Sequence, residues 1–374
     1  MINKQVVEQQ PVRAPGFGYA FPAIRGIQAG REYYISMCPL RLIPKIFLFD
    51  EDEMVPELRA QRSLNRARIP EITQYILDHP RDYVFSAITA SIDGEAQFIA
   101  SGETGEGRNL GALYVSMSAQ FILNDGQHRR AAIEMALRER PELADETIAV
   151  VFFMDRGLSR CQQMFADLNR YAVRASKSLG VLYDTRDDRA QLVKAVVKNS
   201  TFFRDMVETE RTTLSARSKK LFTLSSLYAA TKSLLDDVSD QPFEEQVAIA
   251  QDFWEEVAKQ IPEWVSVRNG GLTSGEVRRD HIHSHGTVLQ AMGRTGRALL
   301  AQDPANWRAR LHGLSAIDWS RKHTKLWEGR AMIAGRVSKA EQNVTLTTNV
   351  LKRAVGLELT PEEWRIEEAA TRGA

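Results

Sequence analysis

The chain has 374 residues, of which 43% are hydrophobic and 26% charged, and its formal net charge at pH 7 is +1. This composition is typical of a globular protein, and the length allows two domains. No run approaches the roughly eighteen apolar residues of a membrane-spanning helix, and the N-terminus lacks the apolar core of a secretory signal. Two cysteines, Cys38 and Cys161, cannot form a framework of several disulfides, so we expect a cytoplasmic protein.

Aromatic and β-branched runs predict that the first third of the chain mixes strands with helices. The predicted strands lie at 32–37, 43–49, 83–92 and 96–101. Apolar residues at helical spacing predict a helix at 65–79, and Asp93-Gly94 is typical of a hairpin between the last two strands. Four glycines within 102–111 indicate a loop.

A strand at 112–125, a helix at 125–140, a strand at 147–154 and a helix at 157–170 are predicted next, and the pattern becomes helical after about residue 176. The later predicted helices lie at 189–207, 223–237, 242–260, 286–301, 304–313 and 343–355. Segments 208–222 and 265–285 are predicted polar connections. The sequence therefore predicts an α+β protein with a mixed domain at 1–185 and a mostly helical domain at 186–374.

Charge is unevenly distributed along the chain. Residues 278–353 contain 14 Lys and Arg against 5 Asp and Glu, a local charge of +9, so the remaining residues sum to −8. Such asymmetry favours a negatively charged partner, nucleic acid above all. A helical domain with a solvated basic surface is the alternative.

The most informative stretch runs from Phe121 to Arg130, where an apolar strand ends and a helix begins. Asp125 is a candidate helix cap, and Gly126 gives the backbone freedom to turn. The first amides of such a helix bind anions, and His128, Arg129 and Arg130 add cationic donors. The alternative is a capped helix with an exposed basic first turn, although Arg at a positive helix end costs about 0.3–1 kcal/mol unless an anion offsets it.

Asp-Gly-Gln-His-Arg (125–129) is the motif of the DGQHR family, whose N-terminal domain resembles ParB and sulfiredoxin. Four further stretches, 21–34, 164–189, 213–228 and 327–357, resemble the DndB branch of that family and span nearly the whole chain. The resemblance implies a ParB/sulfiredoxin-like N-terminal domain, a helical remainder, and regulation of the genes for DNA phosphorothioation. It also implies a phosphate- or nucleotide-binding site formed by Asp125, Gly126, Gln127, His128 and Arg129.

Segment 165–180 is expected to face this turn and to supply further groups to the same ligand. Asn169 and Arg170 are candidate nucleotide-binding residues, and Asp167 and Asn169 carry oxygens suited to Mg²⁺. The alternative is that Asn169 caps a helix end and that the arginines form solvated pairs.

Several cations are candidate contacts to the DNA backbone, because Lys, Arg and neighbouring hydroxyl groups reach phosphate oxygens. They are Arg174, Lys177, Arg217, Lys219, Lys220, Arg278 and Arg279. The hydroxyl-rich loop 212–220 holds three of them, and its alternative interpretation is an exposed polar connection. Three alternating histidines, His281, His283 and His285, suggest a metal site or, alternatively, polar packing or phosphate contact. We expect no metal there, since no Cys lies nearby.

Cys38 is a candidate redox residue in a protein tied to sulfur chemistry, although an isolated Cys is more often a small buried hydrophobe. The leading hypothesis is a regulator that binds double-stranded DNA. The alternative is an NTP-hydrolysing or DNA-nicking component of a phosphorothioate or 7-deazaguanine system, with Asp125 and Arg129 catalytic and a nucleotide with Mg²⁺ as cofactor. A third hypothesis is a platform for the sulfur-transfer proteins. No membrane partner is expected, and a homo-oligomer is compatible with palindrome recognition.

Overall fold

The computed structural model describes residues 18–47, 66–154, 163–164, 167–168 and 176–372. The chain divides into two compact units, Met1–Val173 and Arg174–Ala374. The domain limits 1–185 and 186–374 stay a prediction. None of the helices in the described ranges has the length and apolar character needed to cross a membrane. Helix and strand content agrees with the predicted α+β class.

The first unit is built on a seven-stranded mixed sheet with the order β4-β5-β1-β2-β7-β3-β6. Every neighbouring pair is antiparallel except β3 and β7, which are parallel. The strands are β1 Gly18–Gln28, β2 Arg31–Pro39, β3 Ile88–Asp93, β4 Ala96–Ala100, β5 Leu110–Ser116, β6 Gln120–Asp125 and β7 Thr147–Met154.

Helices of the first unit are α1 Ile43–Ile46, α2 Arg68–Asp78 and α3 Gln127–Glu139, with short 3-10 turns at Leu40–Leu42, Gly105–Arg108 and Pro141–Asp145. They pack against the sheet through buried apolar side chains, among them Ile76 on α2 and Ile133 on α3. From the sheet, Ile88 and Phe152 join the same core. The corner between β6 and α3 is therefore built on a packed layer.

Three predictions for this unit are wrong. Residues 43–46 form a helix instead of a strand, because Pro44 suits a first helical turn and Ile43, Ile46 and Phe47 are buried at helical spacing. The segment 112–125 holds the end of β5 and all of β6, separated by a turn. The strands on either side of Asp93-Gly94 do not pair with each other: β3 pairs with β6 and β7, whereas β4 pairs with β5. Long-range pairing of the buried strand β3 outweighs the local turn signal.

The second unit is helical. Its helices are α4 Lys177–Tyr183, α5 Asp188–Asn199, α6 Leu224–Leu234, α7 Phe243–Lys259, α8 Pro262–Arg268, α9 Ser274–Asp280, α10 Gly286–Gln302, α11 Trp307–Arg310, α12 Thr324–Trp327, α13 Glu341–Ala354 and α14 Pro361–Arg372. Short strands pair as β8 Val207–Glu208 with β9 Phe222–Thr223 and as β10 Met332–Ile333 with β11 Arg336–Val337. Two further 3-10 segments are Asp236–Val238 and Leu311–Ala316.

The core of the second unit is aromatic, with Trp254, Trp264 and Trp327 fully buried. Helices α6 and α10 cross closely, because a Cβ on Gly293 would lie 2.1 Å from the Ala230 carbonyl oxygen. Gly293 therefore serves the packing of these two helices.

Segment 265–285 is more ordered than predicted, since it contains the end of α8 and all of α9. Helix α9 begins with a capping box in which Thr273 and Glu276 exchange hydrogen bonds. It has only seven residues, which is too short for a clear periodic pattern.

Candidate functional site

The corner at Asp125 has the predicted strand–turn–helix form. Gly126 adopts the left-handed conformation, with φ +108°, at the N-cap of α3. A Cβ at this position would also lie 3.0 Å from Ile88 Cγ1, so both backbone geometry and space favour glycine. The cap carries no side-chain hydrogen bond. Asp125 therefore does not cap the helix, which corrects the expectation from the sequence.

The Arg129 side chain, only 14% exposed, turns back into its own unit. Its Nη2 donates to the Asp125 carboxylate at 2.6 Å, and its Nη1 donates to the carbonyl oxygens of Ser86 at 2.7 Å and Ala87 at 3.2 Å. Nη1 also contacts the Ser86 hydroxyl. These donors hold the segment before β3 against α3, so they are occupied by protein groups instead of converging on an open anion pocket.

Arg130 is held in the same manner. Its Nε donates to the Phe47 carbonyl oxygen at 2.9 Å and its Nη2 to the Pro44 carbonyl oxygen at 3.2 Å, while Nη1 pairs with Glu134. The side chain is 13% exposed. Arg130 therefore holds α3 against α1 through hydrogen bonds. This structural role explains why an arginine lies in the first turn of α3 without a bound anion.

His128 differs from the two arginines in its charge. Burial lowers the pKa of His128, the charge of Arg68 lowers it further, and Asp125 partly opposes these effects. These effects favour the neutral imidazole over the cationic donor that the sequence led us to expect. A neutral imidazole still offers one donor and one acceptor.

Two buried amides lie beside the corner. The Asn124 side chain is fully buried, and its Nδ2 donates to Ser91 Oγ at 2.8 Å and to Met164 Sδ at 3.1 Å. Asn124 Oδ1 and Gln127 Nε2 have no hydrogen-bond partner among the described residues. This contact places Met164, the residue just before the predicted partner segment 165–180, at the base of the turn.

Other predicted residues of that segment are only partly described. Asp167 is exposed and accepts a hydrogen bond from Gln163 Nε2 at 2.8 Å. Asn169, Arg170 and Arg174 lie outside the described residues. Within the described part of the chain, no group of three or more His, Cys, Asp or Glu side chains is arranged to hold a metal ion.

The predicted DNA-binding loop of the second unit is organised by Arg278. Its guanidinium donates to the carbonyl oxygens of Ser215 at 2.7 Å and Ser218 at 3.3 Å, and it also contacts that of Lys220. Lys220 Nζ in turn donates to the Asp205 carbonyl oxygen at 2.9 Å. Arg278 and Lys220 thus shape the loop, a role that the sequence did not reveal because their acceptors are backbone carbonyls.

The other described cations among the predicted DNA contacts are exposed. Arg217 and Lys219 point from the loop, and in the described ranges neither has a hydrogen bond or ion pair from its side chain. Lys177 is also exposed, and Arg279 pairs with Asp280 at 2.7 Å. Arg217, Lys219 and Lys177 are the candidates that remain available to phosphate oxygens.

The basic segment 278–353 is less charged at its surface than its composition indicates. Eight of its 14 Lys and Arg side chains form ion pairs within the second unit. They are Arg279, Arg294, Arg297, Arg308, Arg310, Arg330, Lys352 and Arg353. Much of the local charge is therefore balanced within the unit, which weakens the charge-based argument for a nucleic-acid partner.

The three histidines are packed within the unit. His283 is fully buried, and its Nδ1 accepts from Trp264 Nε1 at 2.8 Å, so its Nε2 faces the Glu263 carboxylate at 3.5 Å. His285 Nε2 lies 2.7 Å from Arg321 Nη2, and His281 stacks on His283. All three rings therefore make contacts within the unit, while His281 Nδ1 and His283 Nε2 have no hydrogen-bond partner among the described residues.

Cys38 lies on β2 with no exposed surface. Burial raises the pKa of its thiol to about 11, and the nearby Ser36 hydroxyl partly opposes the shift. A buried, protonated thiol is unreactive, so the structure supports the buried-hydrophobe interpretation over a redox role.

Comparison with known proteins supplies the decisive observation for the family. A family model described as DndB, DNA-sulfur modification-associated, matches residues 21–358. The chain belongs to the DndB family. The match covers both units of this DndB-family chain and includes the corner at Asp125 and the loop at Arg217. No curated protein and no solved structure matches it.

Proposed function

We propose that this DndB-family chain is a cytoplasmic DNA-binding regulator of the genes for DNA phosphorothioation. Membership of a family associated with DNA sulfur modification supports the system in which it acts. Its proposed partners are double-stranded DNA and other proteins of that system. The ParB/sulfiredoxin-like fold and a homo-oligomeric state stay predictions.

The structural observation that carries the DNA contact is the loop 212–220. Arg217 and Lys219 are exposed and unpaired among the described residues. Arg278 fixes the loop backbone by donating hydrogen bonds to its carbonyl oxygens. Cations held on a fixed backbone bind phosphate oxygens at a lower entropic cost than cations on a loose loop. Serine and threonine hydroxyls of the same loop are suited to backbone contacts as well.

Gel retention of duplex DNA from upstream of the chain's own modification genes tests this proposal. We expect retention that weakens as salt rises, with a slope of log K against log salt that falls by about 0.9 for each phosphate contact removed. The double variant Arg217→Gln/Lys219→Gln should bind more weakly and with a shallower slope. The matched control Lys198→Gln/Lys232→Gln removes the same charge from exposed positions elsewhere on the unit. No retention by the unaltered protein at low salt would overturn the proposal.

The phosphate- or nucleotide-binding role of Asp125–Arg129 stays a prediction. Fewer groups of the turn are available to a ligand than the sequence indicated. The arginine donors are engaged by Asp125, Ser86 and Ala87, which leaves the first amides of α3 for a ligand. Catalysis by Asp125 and Arg129 would require breaking their ion pair. No observation favours the enzymatic alternative, and phosphate release from ATP, GTP or CTP with Mg²⁺ would be the finding that restores it.

A further inference from the structure

A second cationic site lies in the helical unit, in a cavity of about 460 Å³ that we name the lysine pocket. The lining residues that bear on ligand binding are Lys177, Ser225, Ser226, Tyr228, Thr287 and Lys339. Two lysines, three aliphatic hydroxyls and a tyrosine are therefore present, and no Asp or Glu is among the described residues that line the cavity. A cavity of this size accommodates a ligand as large as a nucleotide.

Lys177 is placed at the pocket by the serines on either side of it. Ser176 Oγ contacts the Glu210 carbonyl oxygen, and Ser178 Oγ donates to the Arg211 carbonyl oxygen at 2.8 Å. Ser178 Oγ also lies 3.1 Å from Ser225 Oγ, at the start of α6. The backbone of Lys177 is thus fixed against α6, while its side chain stays exposed.

Lys339 reaches the same pocket from the segment between β11 and α13. Thr287 Oγ1 donates to the Ser338 carbonyl oxygen at 2.5 Å, and Ser338 Oγ accepts from the Ala340 amide at 3.3 Å. These contacts join the lysine-bearing segment to the first turn of α10. Neither Lys177 nor Lys339 has an ion pair within the described residues.

Helices α6 and α10 begin at the pocket, through Ser225 and Ser226 on one and Gly286 and Thr287 on the other. Gly286 permits their close approach, since a Cβ there would lie 2.9 Å from Ser226 Oγ. The N-cap residue of α10, His285, makes no side-chain capping hydrogen bond. The positive end of α10 therefore adds to the charge of the two lysines, whereas Thr223 Oγ1 caps the Ser226 amide at the start of α6.

Another cavity of this unit, of about 420 Å³, differs from the lysine pocket in the pairing of its cations. Its cations Arg294, Arg297 and Lys352 are each paired with a carboxylate, on Glu341, Asp236 and Glu363 respectively. That cavity needs no ligand to balance its charge. The lysine pocket has no such internal partners.

We propose that the lysine pocket binds a phosphate group, supplied either by a nucleotide or by the nucleic-acid backbone. Lys177 and Lys339 donate charge-assisted hydrogen bonds to the phosphate oxygens, and the hydroxyls of Ser225 and Ser226 supply neutral ones. When the phosphate belongs to DNA, this inference rests on the proposed function. The nucleotide case is independent of it.

Isothermal titration with ATP and with inorganic phosphate, together with gel retention of the promoter duplex, tests the proposal. The variant Lys177→Gln/Lys339→Gln should weaken binding by about tenfold to a hundredfold, as expected for two lost charge-assisted bonds. Lys177→Arg/Lys339→Arg should retain most of the affinity. Lys198→Gln/Lys232→Gln is the control, because it changes net charge equally at exposed positions that do not line the pocket. Urea unfolding of each variant establishes that it folds.

The two ligand sources give different outcomes. Loss of ATP or phosphate binding in the Gln variant alone identifies a nucleotide site, and loss of DNA retention without any ATP binding identifies a backbone contact. A third outcome is that the unaltered protein, the Gln variant and the control retain DNA equally and that none binds ATP or phosphate. This outcome overturns phosphate binding by the lysine pocket but leaves the proposed function standing. ATP binding that is lost in the Gln variant, without DNA retention by any of the proteins, supports the pocket and overturns the proposed function. If the unaltered protein binds none of these ligands, both the pocket and the proposed function are overturned.

Discussion

Arg129 and Asp125 form an ion pair of 2.6 Å across the turn that joins β6 to α3. The pair lies four residues apart, and the Arg129 guanidinium bridges it to the carbonyl oxygens of Ser86 and Ala87. Two charged residues of this turn are therefore engaged with each other and with the segment that precedes β3. We infer that the Asp125–Arg129 ion pair stabilises this corner of the fold. The stability of variants tests this role.

We expect Arg129→Ala to lower the free energy of unfolding by about 1–3 kcal/mol, because it removes a largely buried guanidinium and leaves carbonyl oxygens without donors. Urea unfolding followed by circular dichroism measures the change. Arg138→Ala on the same helix is the control: its side chain is 73% exposed and pairs only with Glu134, so its loss should cost less than about 0.5 kcal/mol. Equal effects of the two substitutions would contradict a structural role for Arg129.

The crossing of α6 and α10 gives a second prediction. Gly293→Ala places a methyl group 2.1 Å from the Ala230 carbonyl oxygen, where backbone would have to move, and overpacking of this kind costs about 1–3 kcal/mol. Thermal unfolding is the measurement. At Gly180, on α4, an added Cβ meets nothing within 4 Å, so Gly180→Ala should be neutral or slightly stabilising. If Gly293→Ala left the unfolding temperature unchanged, α6 and α10 could not approach as closely as this distance requires.

Periodicity predicted the long elements well. Strand β7 has the predicted limits, α7 differs from prediction by one residue at each end and α10 by one residue at its C-terminal end, because long amphipathic segments carry many concordant signals. The helix predicted at 189–207 instead ends at Asn199. The pairing of β3 could not be predicted, since its neighbours β6 and β7 come from distant parts of the sequence while Asp93-Gly94 gave a strong local signal.

The candidate site was predictable in its backbone and not in its side chains. A glycine after a strand and before a helix indicated the turn, and Gly126 adopts the left-handed φ that such a turn needs. The acceptors of Arg129 and Arg130 lie 43 and 83 residues away, at Ser86 and Phe47, and are backbone carbonyls, which carry no residue-type signal. The lysine pocket was missed for a similar reason, since Lys177 and Lys339 are brought together only by helix packing.

Thiol reactivity gives a third prediction. In a Cys161→Ser background, a soluble thiol reagent at pH 8 should leave Cys38 unmodified in the native protein, because the side chain is fully buried and its pKa is raised to about 11. The same reagent should modify Cys38 fully in denaturant, which serves as the control. Rapid modification without loss of native circular dichroism would revive the redox hypothesis.

The last prediction concerns acid stability and His285. Burial lowers the pKa of His285 from 6.5 to about 4, and the charges of Arg321, His283 and Arg278 act in the same direction, whereas the Arg278 carbonyl opposes them. Between these two pH values the unfolded chain binds a proton at this position that the folded chain does not, so the contribution of His285 to stability falls as pH decreases from 6.5 to 4. We expect His285→Gln to remove about 1–2 kcal/mol of the difference in unfolding free energy between pH 7 and pH 5. Urea unfolding at a series of pH values measures the slope, and the exposed His312→Gln should keep the slope of the unaltered protein. If both variants retain that slope, His285 is not held neutral by its burial beside Arg321.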